Sequence, residues 1–70
     1  MIEVFKTNIS EIDGVNFIAG RLRQDFPGYT MHVDLHDCDK ILRIEAPDID
    51  HSKVISLLVS NGYQCEVLPD

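Results

Sequence analysis

Basic residues are scarce in this chain of 70 residues. Six Lys and Arg stand against twelve Asp and Glu, which gives a formal net charge of −6. A protein that binds nucleic acid needs a cluster of Lys and Arg to displace the counterions that condense on phosphates. Here only Arg21 and Arg23 lie close together. The charge distribution therefore argues against nucleic acid as a partner.

The sequence also has no long hydrophobic run. No apolar stretch approaches the ~20 residues that span a bilayer. Residues 1–20 lack the basic start, apolar stretch and small-residue cleavage site of a secretory signal. We therefore expect no membrane partner and a cytoplasmic location. Cysteine is limited to Cys38 and Cys65, and both are expected to be free thiols in that reducing compartment.

The remaining composition is that of an ordinary globular chain, with 44% hydrophobic and 26% charged residues. It predicts a single domain over residues 1–70. A core of this size supplies only ~3–5 kcal/mol of stability. Because association would bury surface that so short a chain otherwise leaves exposed, the size of the chain slightly favours a homodimer.

The first third of the chain predicts a strand and a helix. Residues 2–7 ("IEVFKT") are typical of a strand. The helix is expected to begin after Ser10, whose hydroxyl would cap it, and to end at Pro27 and Gly28. Phe17 falls on the opposite side from the apolar face and is expected to point outward. The predicted apolar face has spacings of three and four residues and consists of Ile12, Val15, Ala19, Leu22 and Phe26.

The middle of the chain predicts a β-hairpin. Residues 29–36 ("YTMHVDLH") alternate apolar and polar side chains, and residues 40–46 ("KILRIEA") continue this alternation. Asp37, Cys38 and Asp39 lie between the two segments, and aspartate favours turns. The stretch "DLHDCDK" (residues 34–40) is therefore expected to form the tip of the hairpin.

The last third predicts a second helix and a final strand. Asp50 is placed to cap the helix, with Ile49 packing against Val54 as a hydrophobic staple. Gly62 is expected to end the helix in the left-handed conformation. Residues 63–68 ("YQCEVL") then predict a strand.

The elements follow the order βαββαβ, which indicates an α+β, ferredoxin-like fold. In this arrangement four antiparallel strands have the spatial order 4-1-3-2, and two helices cover one face of the sheet. The other face would be open to water.

The segments "FPGYTMHVDL" (residues 26–35) and "VISLLVSNGYQCEVL" (residues 54–68) resemble the corresponding parts of heavy-metal-associated domains, the fold of copper chaperones. The resemblance covers nearly the whole chain. Members of that family bind a soft metal ion through a Met-Thr-Cys-x-x-Cys loop between the first strand and helix. The family's spacing places these two cysteines at Ile12 and Val15. Because soft metals require thiolate ligands, the resemblance implies the fold without the usual metal site.

Four other potential metal ligands lie around the predicted hairpin: His32, Asp34, His36 and Cys38. The first three alternate along one predicted strand at ~6.6 Å spacing, which lets two of them reach one ion. Histidine and carboxylate ligands suit Zn(II) or Ni(II) better than Cu(I). Polar side chains are also typical of an exposed edge strand, where they discourage pairing with other sheets. The sequence leaves both interpretations open, and no other cofactor is predicted.

The two cysteines are not expected to act together. Cys38 lies in the predicted turn, whereas Cys65 alternates with Tyr63 and Val67 and is expected to point into the core. In the predicted strand order they lie at least two strands apart, ~10 Å or more. A disulfide requires Cα atoms within ~7 Å. Neither a disulfide nor a shared metal ion is therefore predicted.

Other activities known for this fold lack their residues here. Acylphosphatase-like enzymes hold phosphate with an Arg in the first loop, and "NISEID" has none. RNA-recognition motifs stack bases on aromatic side chains, whereas the third strand here carries Ile41, Arg43 and Glu45 on that face. No serine is paired with a base, since capping and a polar helix face account for the serines. The chain is therefore predicted not to be an enzyme.

The open face of the sheet is the remaining candidate site. Its three apolar residues, Phe5, Ile41 and Leu68, are predicted to form a small partner surface. The leading hypothesis is an interaction module that binds a protein, including a second copy of itself. The alternatives are a divergent metal binder and a regulatory domain that holds a small ligand between subunits. The full predicted open face consists of Glu3, Phe5, His32, Asp34, Ile41, Arg43, Glu45, Glu66 and Leu68.

Overall fold

The structure is a computed structural model that describes residues 1–68. It is an α+β fold with two helices and four strands. In chain order the elements are β1 (Ile2–Thr7), α1 (Ile12–Asp25), β2 (Thr30–Val33), β3 (Leu42–Glu45), α2 (His51–Ser60) and β4 (Cys65–Val67).

The strands form one antiparallel sheet with β1 and β3 in its centre. The order across the sheet is β2-β3-β1-β4, which reads 4-1-3-2 from the opposite edge. One face contributes Phe5, Leu42 and Ile44 to a core that it shares with residues of both helices, including Leu22 and Leu58. The described chain is 27 × 27 × 17 Å in extent. With a helix ~10 Å in diameter, its shortest dimension accommodates one layer of helices, so the other face of the sheet is open.

The residues of β1 face opposite sides from those predicted. Phe5 is fully buried and pairs with buried Leu42, so it belongs to the helix-covered face. Glu3 lies on this side as well, and its Oε2 is 3.1 Å from Nε2 of His51 in α2. The prediction that Phe5 and Glu3 belong to the open face was therefore wrong. The Phe5 ring packs in the core, with its centroid 5.9 Å from that of the His51 ring in α2.

Helix α1 begins later than predicted. Its N-cap is Glu11 rather than Ser10, and no side chain caps it. The preceding loop is fixed by other contacts: Ile9 is fully buried, and Oδ1 of Asn8 accepts a hydrogen bond of 2.8 Å from the Gln64 N–H. These contacts join the loop before α1 to the core and to the residue that precedes β4.

The apolar face of α1 is rotated from the predicted one. The buried residues are Ile18 and Leu22, while Ile12 is 66% exposed. Ile18 was missing from the predicted face, and the inclusion of Ile12 was wrong. Phe17 points outward as expected, with 50% of its surface exposed.

The termini of α2 agree with the sequence prediction. Oδ1 of Asp50 accepts a hydrogen bond of 3.1 Å from the Lys53 N–H. Gly62 has a φ of 88°, and its N–H donates to Val59 while the Tyr63 N–H donates to Leu58. This pair of hydrogen bonds defines a Schellman motif, which satisfies carbonyls at the end of the helix. The helix is therefore capped at both ends.

No helix among residues 1–68 is long and apolar enough to cross a membrane.

Candidate functional site: the open sheet face

The segment "DLHDCDK" is a polar turn. Strand β2 ends at Val33, earlier than predicted, and the chain then turns. Oδ1 of Asp34 accepts a hydrogen bond from the His36 N–H at 3.0 Å, and Oδ1 of Asp37 accepts one from the Asp39 N–H at 2.8 Å. Such bonds between an aspartate and the backbone two residues later are typical of tight turns. The two carboxylates therefore serve the backbone of the turn.

The turn is fastened to the rest of the molecule by Thr7. The Thr7 hydroxyl donates a hydrogen bond of 2.6 Å to the Lys40 carbonyl, and its backbone N–H donates to the Asp39 carbonyl at 3.2 Å. Nζ of Lys40 closes the turn from within by donating to the Leu35 carbonyl at 2.8 Å. The turn is thereby held against the end of β1.

The four metal-ligand candidates do not form a group. His32 lies within β2, Asp34 follows the strand, and His36 and Cys38 lie in the turn, so these residues do not share one face of a strand as predicted. Within residues 1–68, no three His, Cys, Asp or Glu side chains are grouped so that they could hold a metal ion.

The position at which the resemblance implies a metal loop is apolar. Ile12 and Val15 occupy the expected cysteine positions in the first turn of α1. Ile9 in the same loop packs into the core. These side chains offer no atom that can coordinate a soft ion.

Both cysteines are free thiols, but their surroundings differ. Cys38 is exposed in the turn, and Cys65 is partly buried beside the core. Burial, together with the charge of neighbouring Glu66, raises the pKa of the Cys65 thiol from 9.0 to about 11. The thiolate is the nucleophile and the metal ligand, and the raised pKa keeps the Cys65 thiol mostly protonated at neutral pH.

The open face is built from alternate residues of the strands. Its members in the strands are Ile2, Val4, Lys6, Thr30, His32, Arg43, Glu45 and Glu66, as the pairing register requires. Ile41 and Leu68 extend the alternation just beyond β3 and β4. Both are partly buried. Of the three predicted partner residues, Ile41 and Leu68 therefore lie on this face and Phe5 does not.

An apolar strip crosses the β1 side of the open face. It consists of Ile2, Val4 and Leu68. Val4 lies beside Leu68, whose N–H donates to the Val4 carbonyl at 2.9 Å. Ile2 lies two residues before Val4 on the same strand, and 46% of its surface is exposed. The predicted open face included Leu68 but not Ile2 or Val4, because the two sides of β1 were interchanged in the prediction.

Charged side chains flank the apolar strip in balanced numbers. Arg43 pairs with Val4 on one side and with His32 on the other. Glu45 pairs with Ile2, and Lys6 pairs with Glu66 across β1 and β4. Within the strands, two cations and two anions therefore flank the strip on a chain whose net charge is −6, and Nζ of Lys6 also lies 3.7 Å from Oδ1 of Asp39 in the turn.

A second concave region lies between the two helices. This open groove of ≈ 520 Å³ is lined by Arg21, Lys53 and Asp25 among others. Several of its polar groups are already engaged: the Ser60 hydroxyl donates to the Ser56 carbonyl at 2.6 Å, and the Asn61 amide donates to the Leu57 carbonyl at 2.7 Å. The rest of its lining is mostly charged, including Arg21, Asp25 and Lys53. Because the centre of a protein interface is depleted of charged residues, the open face with its apolar residues is the stronger candidate for a protein partner.

Comparison with known proteins gives no relative: no protein family, curated protein or solved structure matches the chain.

Proposed function

We propose that this protein is a small, non-enzymatic interaction module with a ferredoxin-like fold. In this proposal it is similar to a heavy-metal-associated domain without the metal-binding cysteines, and it binds a protein partner through the open face. The observation that carries the proposal is the apolar strip of Ile2, Val4 and Leu68 among balanced charges.

The composition of the open face is suited to binding a protein. Apolar residues surrounded by charged ones are typical of protein interaction sites, where the apolar centre loses its water and the rim orients the partner. A strand-built surface also holds its side chains in fixed positions, which lowers the entropy lost on binding.

The polar groups with catalytic potential favour a non-enzymatic role. The His51 imidazole, the candidate base nearest to the serines of α2, lies against Glu3. The Ser60 hydroxyl donates to a backbone carbonyl within its own helix. Nucleophilic catalysis requires a nucleophile within hydrogen-bond reach of its base, and these pairings serve structure instead.

Photocrosslinking in cells tests the proposal with a matched pair of valines. A photoreactive phenylalanine analogue replaces Val4 on the open face or, as the control, Val59, which is 57% exposed on α2. We expect the probe at Val4 to give a discrete crosslinked protein, identified by mass spectrometry, and the probe at Val59 to give none. Arg43→Glu should abolish the product. An equal yield of the same product from Val59 would place the partner elsewhere and contradict the proposal.

A further inference from the structure

We propose that the partner of the open face is a second copy of this chain, so that two sheets pack face to face. This inference rests on the proposed function and names its partner. The two copies would be related by a two-fold axis, with the apolar strips of both copies enclosed between the sheets.

The charge distribution favours a second copy on this face. Of the six basic and twelve acidic residues in the chain, the open face takes two of each: Lys6, Arg43, Glu45 and Glu66. This set is neutral. Two more acids lie at the turn end of the face: Asp34, whose N–H donates to the Ile41 carbonyl, and Asp39, whose Oδ1 is 3.7 Å from Nζ of Lys6. Most of the excess negative charge therefore lies on the rest of the molecule, so repulsion between two copies is expected to be weakest where the open faces meet.

The same four residues make the face complementary to itself. In a two-fold dimer one surface patch meets an identical patch, so it must carry both signs of charge to pair with itself. The face meets this condition, because Arg43 and Glu45 follow one another on alternate positions of β3 and Lys6 lies opposite Glu66. Packed sheets lie ~10 Å apart, a distance that side chains of this length can bridge.

The size of the face indicates that the dimer is weak. Strands of six, four, four and three residues, at ~3.3 Å per residue and ~4.8 Å between strands, give a face of roughly 270 Å². Two such faces bury roughly 540 Å², which is well below the ~1,200 Å² of stable specific interfaces. We therefore expect a weak dimer that forms only at high protein concentration.

Charge-swapped variants test this pairing by sedimentation equilibrium between about 10 µM and about 1 mM. The positive variant carries Glu45→Lys and Glu66→Lys, and the negative variant carries Lys6→Glu and Arg43→Glu. Each variant alone should dimerise at least about tenfold more weakly than the wild-type chain, because like charges then meet across the interface. An equimolar mixture of the two should associate at least as tightly as the wild type.

Further controls test whether the effects arise from the open face itself, from the change in net charge or from a loss of folding. Asp25→Lys with Asp48→Lys, and Arg21→Glu with Arg23→Glu, change net charge equally at exposed positions outside the open face. The positive variant has a net charge of smaller magnitude than the wild type. If net charge alone determined association, this variant would therefore associate more tightly than the wild type. Ile2→Ser removes part of the apolar strip without altering charge. Circular dichroism verifies that each variant is folded.

Three outcomes overturn the self-association proposal. The first is a folded wild-type chain that stays monomeric at about 1 mM. The second is a mixture of the two charge variants that fails to associate. The third is a set of off-face controls that weaken the dimer as much as the face variants do. None of these outcomes contradicts the proposed function, which fails separately if Val4 and Val59 give the same crosslinked product in equal yield.

Discussion

The helix-covered and open faces of the sheet both carry apolar residues, and β1 contributes to each. On the covered side, Phe5 and Thr7 are buried, while on the open side Ile2 is half exposed and Val4 is partly buried. Strand β1 therefore carries apolar residues on both sides, Phe5 on the covered side and Ile2 and Val4 on the open side. Its alternation alone does not identify the core face, and the open face keeps a partly exposed apolar strip.

Substitutions at adjacent positions of β1 give the largest expected contrast between the faces. Phe5→Ala removes a fully buried ring and should lower the free energy of unfolding by about 3–5 kcal/mol. Val4→Ala on the open face should cost less than about 1 kcal/mol. Urea denaturation at low protein concentration measures both.

A milder variant keeps the contrast between the faces measurable if Phe5→Ala does not fold. Phe5→Leu preserves most of the buried volume and should cost no more than about 1.5 kcal/mol. Equal losses of stability at positions 4 and 5 would show that the two faces do not differ in packing.

Substitutions at Gly14 test how closely α1 packs against Tyr63 and Ile9 on the helix-covered side of the sheet. A Cβ at Gly14 would lie 2.6 Å from the Tyr63 hydroxyl and 3.2 Å from a methyl group of Ile9, whereas a Cβ at Gly20 would meet nothing within 4 Å. Gly14→Ala should cost about 1–3 kcal/mol by overpacking. Gly20→Ala should stabilise the protein by about 0.5–1 kcal/mol through helix propensity.

The double variant Gly14→Ala/Tyr63→Phe identifies the contact responsible. Removal of the hydroxyl leaves room for the new methyl group, so the double variant should regain part of the stability lost by Gly14→Ala. If Gly14→Ala and Gly20→Ala stabilise the protein alike, α1 does not approach Tyr63 as closely as described.

The smallest predicted effect concerns the thiol on the covered side. The folded Cys65 thiol keeps its proton up to about pH 11, whereas the unfolded thiol loses it near pH 9.0. Between these values the unfolded state binds fewer protons, so the free energy of unfolding falls as pH rises. The difference corresponds to at most ~2.7 kcal/mol. Since Cys65 is only partly buried, we expect a loss of about 1 kcal/mol.

Urea denaturation at pH 8 to 11 isolates this effect by comparing variants. Cys65→Ala should lose this part of the pH dependence, while Cys38→Ala, at the exposed cysteine, should keep it. The same alkaline loss of stability in all three proteins would assign it to other groups, such as the tyrosines and lysines.

The sequence was informative where the local signals agreed. The bounds of β1 follow from its composition, and Asp50 and Gly62 mark the ends of α2 because each makes a local backbone interaction that its residue type favours. Likewise, the aspartates of "DLHDCDK" predicted a turn. These features depend on interactions between residues that are close in the sequence, so they can be predicted from it.

The features that the sequence did not reveal depend on distant partners. Thr7 is polar but buried, because its hydroxyl meets the Lys40 carbonyl 33 residues away. Phe5 was assigned to the open side, whereas its strand partner Leu42, from much later in the chain, places it in the core. The loop before α1 is tied to the residue before β4 by the hydrogen bond between Asn8 and Gln64. With the sides of β1 interchanged, Ile2 and Val4 of the apolar strip were missed, while Leu68 was predicted on the open face.

The pairing of β1 also determines how the sheet can assemble. Phe5 pairs with Leu42 on one side and with Val67 on the other, so both neighbours of this central strand come from much later in the chain. Of the sheet's pairings, only that of β2 with β3 joins strands that follow one another directly. The entropy of closing long loops must be overcome before the other contacts form. A folding intermediate in which β4 has not yet paired with β1 therefore exposes an unpaired edge of β1. Such an edge can pair with another chain and start aggregation.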